Sequence, residues 1–358
     1  MLFPLQNLLR TIRVGATALP GLDEPIRAEL FSSERLEQHA ASLAAAQCVT
    51  TTPRAGRRLL PRVLDNGRVL LASYRAIAQA IREERTITPA AEWLVDNFHI
   101  VDEQLREIQN DLPPGFYREL PQLAAGPLQG YPRVFGLAWA FVAHTDSRFE
   151  PESLRQFVRA YQRVQPLTIG ELWAVAIALR VVLVENLRRL TEQIVRGRAA
   201  RQEADALADS MLGLGGRDAA PAVTVLRRFE GTPLAPAFAV QLVQRLRDQD
   251  PVGTPALRWI EESLTRQGTT VDEIVRVEHQ QQAAMNVTVR NVITSMRLIS
   301  AFDWEVFFES VSLVDAILWA DTGCATPDFV TRDHYRHAIE ELARGSPHAE
   351  LDVAQRAV

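Results

Sequence analysis

The stretch TIGELWAVAIALRVVLVENLRRLTEQIVRG, from Thr168 to Gly197, contains no proline and opens with Thr168 and Glu171 at capping-box spacing. A hydroxyl and a carboxylate so placed satisfy each other's orphan backbone donors, which fixes a helix start. Behind them Ile169, Leu172, Trp173, Ala176, Ile177, Val184, Leu187 and Ile194 recur at helical spacing and build one broad apolar face. The spacing predicts a long amphipathic helix, with Gly197 as its expected stop.

The same punctuation recurs along the chain. Thr88 before Pro89 starts a helix running through Ile108, Thr254 before Pro255 starts another, and Thr270 with Glu273 repeats the capping-box spacing. The run NVTVRNVIT from Asn286 is β-branched, but Val289, Val292, Ile293, Met296 and Ile299 keep a helical period, so it reads as helix. Further helices are expected near 33–47, 68–85, 151–164, 235–248, 303–319 and 332–344. Strand signals are scarce. The fold class is therefore all-α, an irregular multi-helix bundle or an α-solenoid of helical hairpins with no fixed repeat period.

Pro- and Gly-rich stretches divide the chain into an N-terminal extension with a helix over 1–56, a helical domain over 57–212 and a second helical domain over 213–345. From 346 to 358, helix-start signals at Ser346, Pro347 and Glu350 lead into a helix with no stop, which predicts a longer polypeptide.

Composition narrows the function. At 358 residues, 47% hydrophobic and 23% charged, the chain has the balance of an ordinary globular protein. Its 39 basic residues are all arginine and are dispersed, and the net charge is −5, so there is no electrostatic footprint for nucleic acid. Cys48 and Cys324 are too few for a disulfide framework or a four-thiolate zinc site, and read as core thiols in a reducing compartment. The N-terminus lacks a secretory cleavage site, and no apolar run reaches a bilayer-spanning length.

Several groups of residues carry possible chemistry. Glu92, Asp96, His99 and Glu103 fall at i, i+4, i+7 and i+11, as on a metal-binding helix face, and His334, His337 and Glu341 with Asp333 form a second cluster. Both read more simply as solvated faces with ordinary ion pairs. Arg180, on the apolar stripe of its helix, is expected either to be paired with Glu171, Glu185 or an acid from another segment, or to snorkel to water. The segment 112–149 is rich in proline and glycine and gathers Tyr117, Tyr131, Arg133, His144, Asp146 and Arg148 around one short apolar helix. Loops carrying aromatic and arginine side chains suit an interface or a glucan contact; the competing reading is a packed domain corner. No nucleotide-binding, serine-hydrolase or zinc-protease motif is present, and no residue is singled out as catalytic, cofactor-binding or metal-binding.

The string from Ala90 to Leu190, beginning AAEWLVDNFHIVDEQLREIQNDLPPGFYRELPQ, resembles the N-terminal region of bacterial cyclic β-1,2-glucan synthases. The resemblance resumes at EHQQQAAMNVTVRNVITSMRLISAFDWEVFFESVSLV and at FVTRDHYRHAIEELARGS. It implies a parent that is a large inner-membrane glucosyltransferase. That parent would use UDP-glucose and a divalent metal to build a β-1,2-glucan that is later cyclised, and would carry a C-terminal phosphorylase-like module. Those modules and the membrane spans lie downstream of the matched region. The resemblance thus implies a cytoplasmic helical scaffold that is not itself catalytic, holds no cofactor, and has the downstream transferase and membrane modules as partners. The alternative is a glucan-binding or carbohydrate-active helical domain, with Trp93, Trp139 and Trp173 as stacking platforms, although tryptophans at helical spacing are more often core residues.

Overall fold

The computed structural model describes residues 24–50, 57–112, 115, 119–214, 221–247, 249, 254–320 and 327–358. Among them the chain is all-α. In order the helices are α1 (Ser33–Ala46), α2 (Leu59–Arg82), α3 (Pro89–Asp96), α4 (Phe98–Asp111), α5 (Arg133–His144), α6 (Pro151–Gln162), α7 (Ile169–Met211) and α8 (Ala222–Leu226). They continue as α9 (Pro236–Leu246), α10 (Thr254–Arg266), α11 (Val271–Ala301), α12 (Trp304–Val311), α13 (Leu313–Leu318), α14 (Phe329–Arg344) and α15 (Glu350–Ala357). The only sheet described is a two-residue antiparallel ribbon, β1 (Val49–Thr50) on β2 (Gln122–Leu123), with Val49 opposite Leu123.

The helices form two compact units, one within 68–98 and 188–290, the other within 24–67, 99–187 and 291–358. The composition-based boundaries near 56 and 213 adjoin stretches 51–56 and 215–220, outside the described residues.

In the first unit, the distal half of α7 supplies Ala204, Leu207, Ala208 and Met211 to a core shared with Phe238, Leu242 and Leu246 of α9 and Ala256, Ile260 and Leu264 of α10. This packing corrects one expectation: α7 does not stop at Gly197 but runs on to Met211. The interior glycine costs about 1 kcal/mol relative to alanine, less than burying the four apolar residues that follow at i, i+3, i+4 and i+7 contributes. Those residues repeat the spacing seen upstream, so the continuation was encoded.

A second correction concerns α3 and α4, expected as one helix. Asn97 ends α3 with φ −112° and ψ 16°, and its side-chain amide donates to the Trp93 carbonyl at 2.9 Å. A short amide that competes for a backbone carbonyl is a helix terminator. Glu92 and Asp96 therefore do not share one helix face with His99 and Glu103. The 303–319 helix is likewise divided, because the Ser312 hydroxyl accepts from the Asp315 N–H at 3.1 Å and starts α13 anew.

The second unit packs α1 and α12 on α6, and sets α15 against α13 and α14. Its interior is aromatic: Phe141 meets Phe157 at 5.6 Å, and Trp173 stacks on Phe308 at 4.4 Å. The Thr168–Glu171 capping box forms as expected, with the Glu171 N–H donating to the Thr168 hydroxyl at 3.2 Å and the Thr168 N–H donating to the Glu171 carboxylate at 3.0 Å. Gly136 lets α5 approach the ribbon, since a Cβ there would sit 2.9 Å from a Leu123 methyl. Cys48 is exposed beside that ribbon rather than in the core, contrary to expectation, and Cys324 lies outside the described residues.

The carboxylate of Glu350, at the start of α15, accepts the Ile169 N–H at 2.8 Å and so caps α7 as well. Burial, with Glu340 and Glu171 nearby, pushes this carboxyl up to about 7 from an ordinary 4.5, although the Ile169 hydrogen bond and Arg344 work the other way. An acid whose folded pKa is raised contributes stability below its unfolded pKa, and loses it as pH rises through the folded one. Glu350→Gln should therefore be more stable than the parent by on the order of 1 to 2 kcal/mol at pH 8.5. Urea melts as a function of pH should show the gap closing toward pH 4.5; a gap that is constant or widens on acidification contradicts this. At Gly197, an added Cβ meets only the Arg201 guanidinium at 3.7 Å and the Ala237 Cβ at 3.9 Å. Thermal melts of Gly197→Ala should show a gain of about 0.5 to 1 kcal/mol.

Candidate functional site

Helix α5 and the turns on either side of it carry the residues expected to make an interface. Arg133, in the first turn of α5, points inward. Its Nε donates to Glu171 at 2.8 Å, a second nitrogen pairs with the other Glu171 oxygen, and the guanidinium also reaches the Pro166 carbonyl at 2.9 Å. Both side chains are almost fully buried, 5% and 0% exposed. Burial works against the charge on Arg133, but the hydrogen bonds and charge of Glu171 outweigh it and raise the pKa above the ordinary arginine value. Beneath lies Tyr161, whose hydroxyl donates to Gln47 at 2.6 Å; burial pushes it up to about 12, so it stays protonated.

Two similar forks recur in the second unit. Arg62 meets Glu185 through its Nε at 2.8 Å and a terminal nitrogen at 2.5 Å, and Asn66 donates to the same carboxylate at 2.7 Å. Arg336, 1% exposed, meets Asp315 at 2.9 and 2.5 Å and lies over the rings of Phe308 and Phe329. Arg180, one of the two expectations for it being a pair, bonds acids of another segment, Glu107 at 3.0 Å and Asp111 at 3.4 Å.

At the far end of α5 the chain turns through Asp146 and Ser147, both with left-handed backbone, φ 50° and 63°. Non-glycine residues hold that conformation at a cost of order 1 kcal/mol each, and here polar contacts fasten them. Asn291 donates to both the backbone and the side-chain oxygen of Asp146 at 3.0 Å, Asn186 donates to the Ser147 hydroxyl at 2.8 Å, and the Ser295 hydroxyl donates to the Ser147 carbonyl at 2.7 Å. Tyr131 is buried, with its ring 5.0 Å from that of Phe135. His144 is half-buried, stacks on Phe31 at 4.0 Å and lies 4.4 Å from His39, whose pKa is lowered by burial and by His144. Arg148 is exposed and faces Glu150 at 3.7 Å. Tyr117 lies outside the described residues. The structure thus brings Tyr131 and Arg133 into the interior at one end of α5, and leaves His144 and Arg148 reaching the surface at the other.

The proposed tryptophan platforms differ among themselves. Trp173 is taken up by its stack on Phe308. Trp93 is 36% exposed, with the Arg290 guanidinium 5.6 Å from its ring centre. Trp139 walls a cavity of about 370 Å³ together with Leu123, Pro127, Leu128 and Gly136. No group of three or more His, Cys, Asp or Glu side chains that could hold a metal ion occurs among the described residues. His337 simply pairs with Glu340 and Glu341 at the surface.

Sequence reasoning missed a cleft of about 600 Å³ in the first unit, between the distal part of α7, the end of α2, α9 and α11. Arg85, Arg198 and Arg201 line it, with Gln202, Gln244, Gln282 and His279. The polar spacing RGRAARQ within α7, opposite HQQQ in α11, was the available signal.

Glu171→Gln would leave the Arg133 guanidinium buried without its counter-charge and weaken the α7 cap. Chemical denaturation should show a loss of about 3 to 5 kcal/mol, whereas Arg148→Ala should change stability by less than about 1 kcal/mol. Equal, small effects from both would contradict the buried fork.

No helix among the described residues is long and apolar enough to cross a membrane. No family model matches the chain. Over 336 residues, 94% of its length, the chain is 39% identical to a protein named cyclic beta-(1,2)-glucan synthase NdvB, from Rhizobium meliloti (strain 1021). The chain spans only 12% of the length of that relative. Nearly end to end, then, it is similar to one segment of a much larger cyclic β-(1,2)-glucan synthase, as a fragment of such an enzyme would be.

Proposed function

We propose that this chain is a non-catalytic helical scaffold segment of a cyclic β-1,2-glucan synthase, held on the cytoplasmic side of the inner membrane. In this reading, UDP-glucose and a divalent metal are handled by the transferase module elsewhere in the parent, and the partners of the segment are that module and the membrane region. The observation that carries the reading is the 39% identity over 94% of the chain to a segment amounting to 12% of one synthase. The use of buried charge supports it. Arg62, Arg133 and Arg336 are each closed on a carboxylate by two hydrogen bonds, an arrangement that holds helices in register and commits those charges to one another. Docking would use the side of the α5 corner that reaches the surface, at His144 and Arg148.

One observation favours a second reading, that the segment binds the glucan product. The cavity beside Trp139 is apolar and bounded by an indole, and sugar rings stack on such faces.

Isothermal calorimetry of the chain separates the two. The scaffold reading expects no saturable heat with linear β-1,2-glucan, and no glucose transfer from UDP-glucose in the presence of magnesium. Saturable glucan binding that Trp139→Ala abolishes establishes the second reading; glucose transfer by the isolated chain overturns the first.

A further inference from the structure

The 600 Å³ cleft of the first unit is lined by a half-buried guanidinium, Arg198, that makes no direct ion pair and feels Glu83 only at longer range. Arg198, half-buried in α7, donates to the Ala76 carbonyl at 3.3 Å, and among the described residues no carboxylate lies within ion-pair distance of it. The other charges around it are largely engaged. Arg201 pairs with Glu278 at 3.2 Å, Glu278 also accepts from Gln282 at 2.7 Å, Arg85 pairs with Glu83 at 3.0 Å, and Asp205 accepts from Gln241 at 2.8 Å. Glu84 is exposed on the lining. Burial and the neighbouring Arg85 and Arg201 lower the pKa of Arg198, while Glu83 works the other way.

A guanidinium kept half out of water beside two others is an electrostatic cost to the empty cleft, and a bound anion offsets it. The positive end of α3 adds to the field, since Thr88, Pro89 and Ala91 at its first turn also line the cleft. The rest of the wall is amide-rich. Gln202, Gln244 and Gln282 offer donors and acceptors suited to hydroxyl groups, and the volume exceeds what an inorganic phosphate ion fills.

We propose that this cleft is a binding site for a small phosphorylated polyol of sugar-phosphate size, with Arg198 as the principal phosphate ligand, Arg85 and Arg201 flanking it, and the glutamines meeting the hydroxyls. The proposal stands apart from the scaffold reading, because a non-catalytic segment and a catalytic one can equally carry such a site.

The test is calorimetry of the 358-residue chain at low ionic strength with glucose 1-phosphate, inorganic phosphate and glucose as probes. Saturable binding of glucose 1-phosphate is expected, tighter than that of inorganic phosphate, weakened by added salt, and with no comparable binding of glucose. Arg198→Gln should weaken it at least tenfold. Gln244→Glu, at an exposed wall position where the fold is not at risk, should weaken it too by adding a carboxylate to the cleft. Melting curves of both variants confirm that they fold. Absence of saturable binding by either phosphate compound, affinity unchanged in both variants, or glucose binding as tight as its phosphate overturns the proposal. Equal affinity for inorganic phosphate and glucose 1-phosphate supports the anion site and overturns the polyol part.

Discussion

The buried fork between Arg133 and Glu171 ties the start of α5 to the start of α7 in the second unit. One carboxylate closes the capping box that starts α7, neutralises a guanidinium from the first turn of α5, and sits among the groups that raise the pKa of Glu350. Removing charge from water costs several kcal/mol per ion, so such a pair holds only if nearly every donor and acceptor is met. Here the Pro166 carbonyl and the Thr168 N–H and hydroxyl complete the set. Arg62 with Glu185 and Asn66, and Arg336 with Asp315, apply the same solution elsewhere in this unit. A chain without lysine is suited to it, because the planar fork of arginine matches both oxygens of a carboxylate while an ammonium meets them as a point charge.

The helical class was legible because the signals were local. Thr168 with Glu171, Thr88 before Pro89 and the period of Val289 to Ile299 each state their structure within a few residues. Helix ends were less legible where tertiary packing overrode a local stop, as at Gly197, or where one side chain broke a periodic run, as at Asn97 and Ser312. The candidate residues near α5 illustrate a deeper limit. Arg133 and Asp146 look like surface recognition groups in a loop-rich stretch, and nothing nearby announces that Glu171 and Asn291, one on each of two later helices, will take them inward. Pairing across 38 and 145 residues is a property of the fold, not of the local string. The cleft around Arg198 escaped for the same reason, since its walls come from helices separated by over a hundred positions.

Function divides similarly. Sequence similarity places the chain beside a segment of a far larger enzyme, which bears on its context and leaves its own task to be read from local chemistry. That chemistry falls into two kinds. In the second unit buried charged groups pair with one another; in the first, one half-buried guanidinium lines an amide-rich cleft without a direct ion pair.

The corner at Asp146 and Ser147 has an implication for biosynthesis. Its left-handed backbone is fastened by Asn186, Asn291 and Ser295. During translation, two of the three side chains that fasten this bend, Asn291 and Ser295, emerge from the ribosome nearly 150 positions after the bend itself. Until then the turn between α5 and α6 rests on its own backbone hydrogen bonds and on Asn186, so the nascent polypeptide completes its contacts here only once α11 has been synthesised.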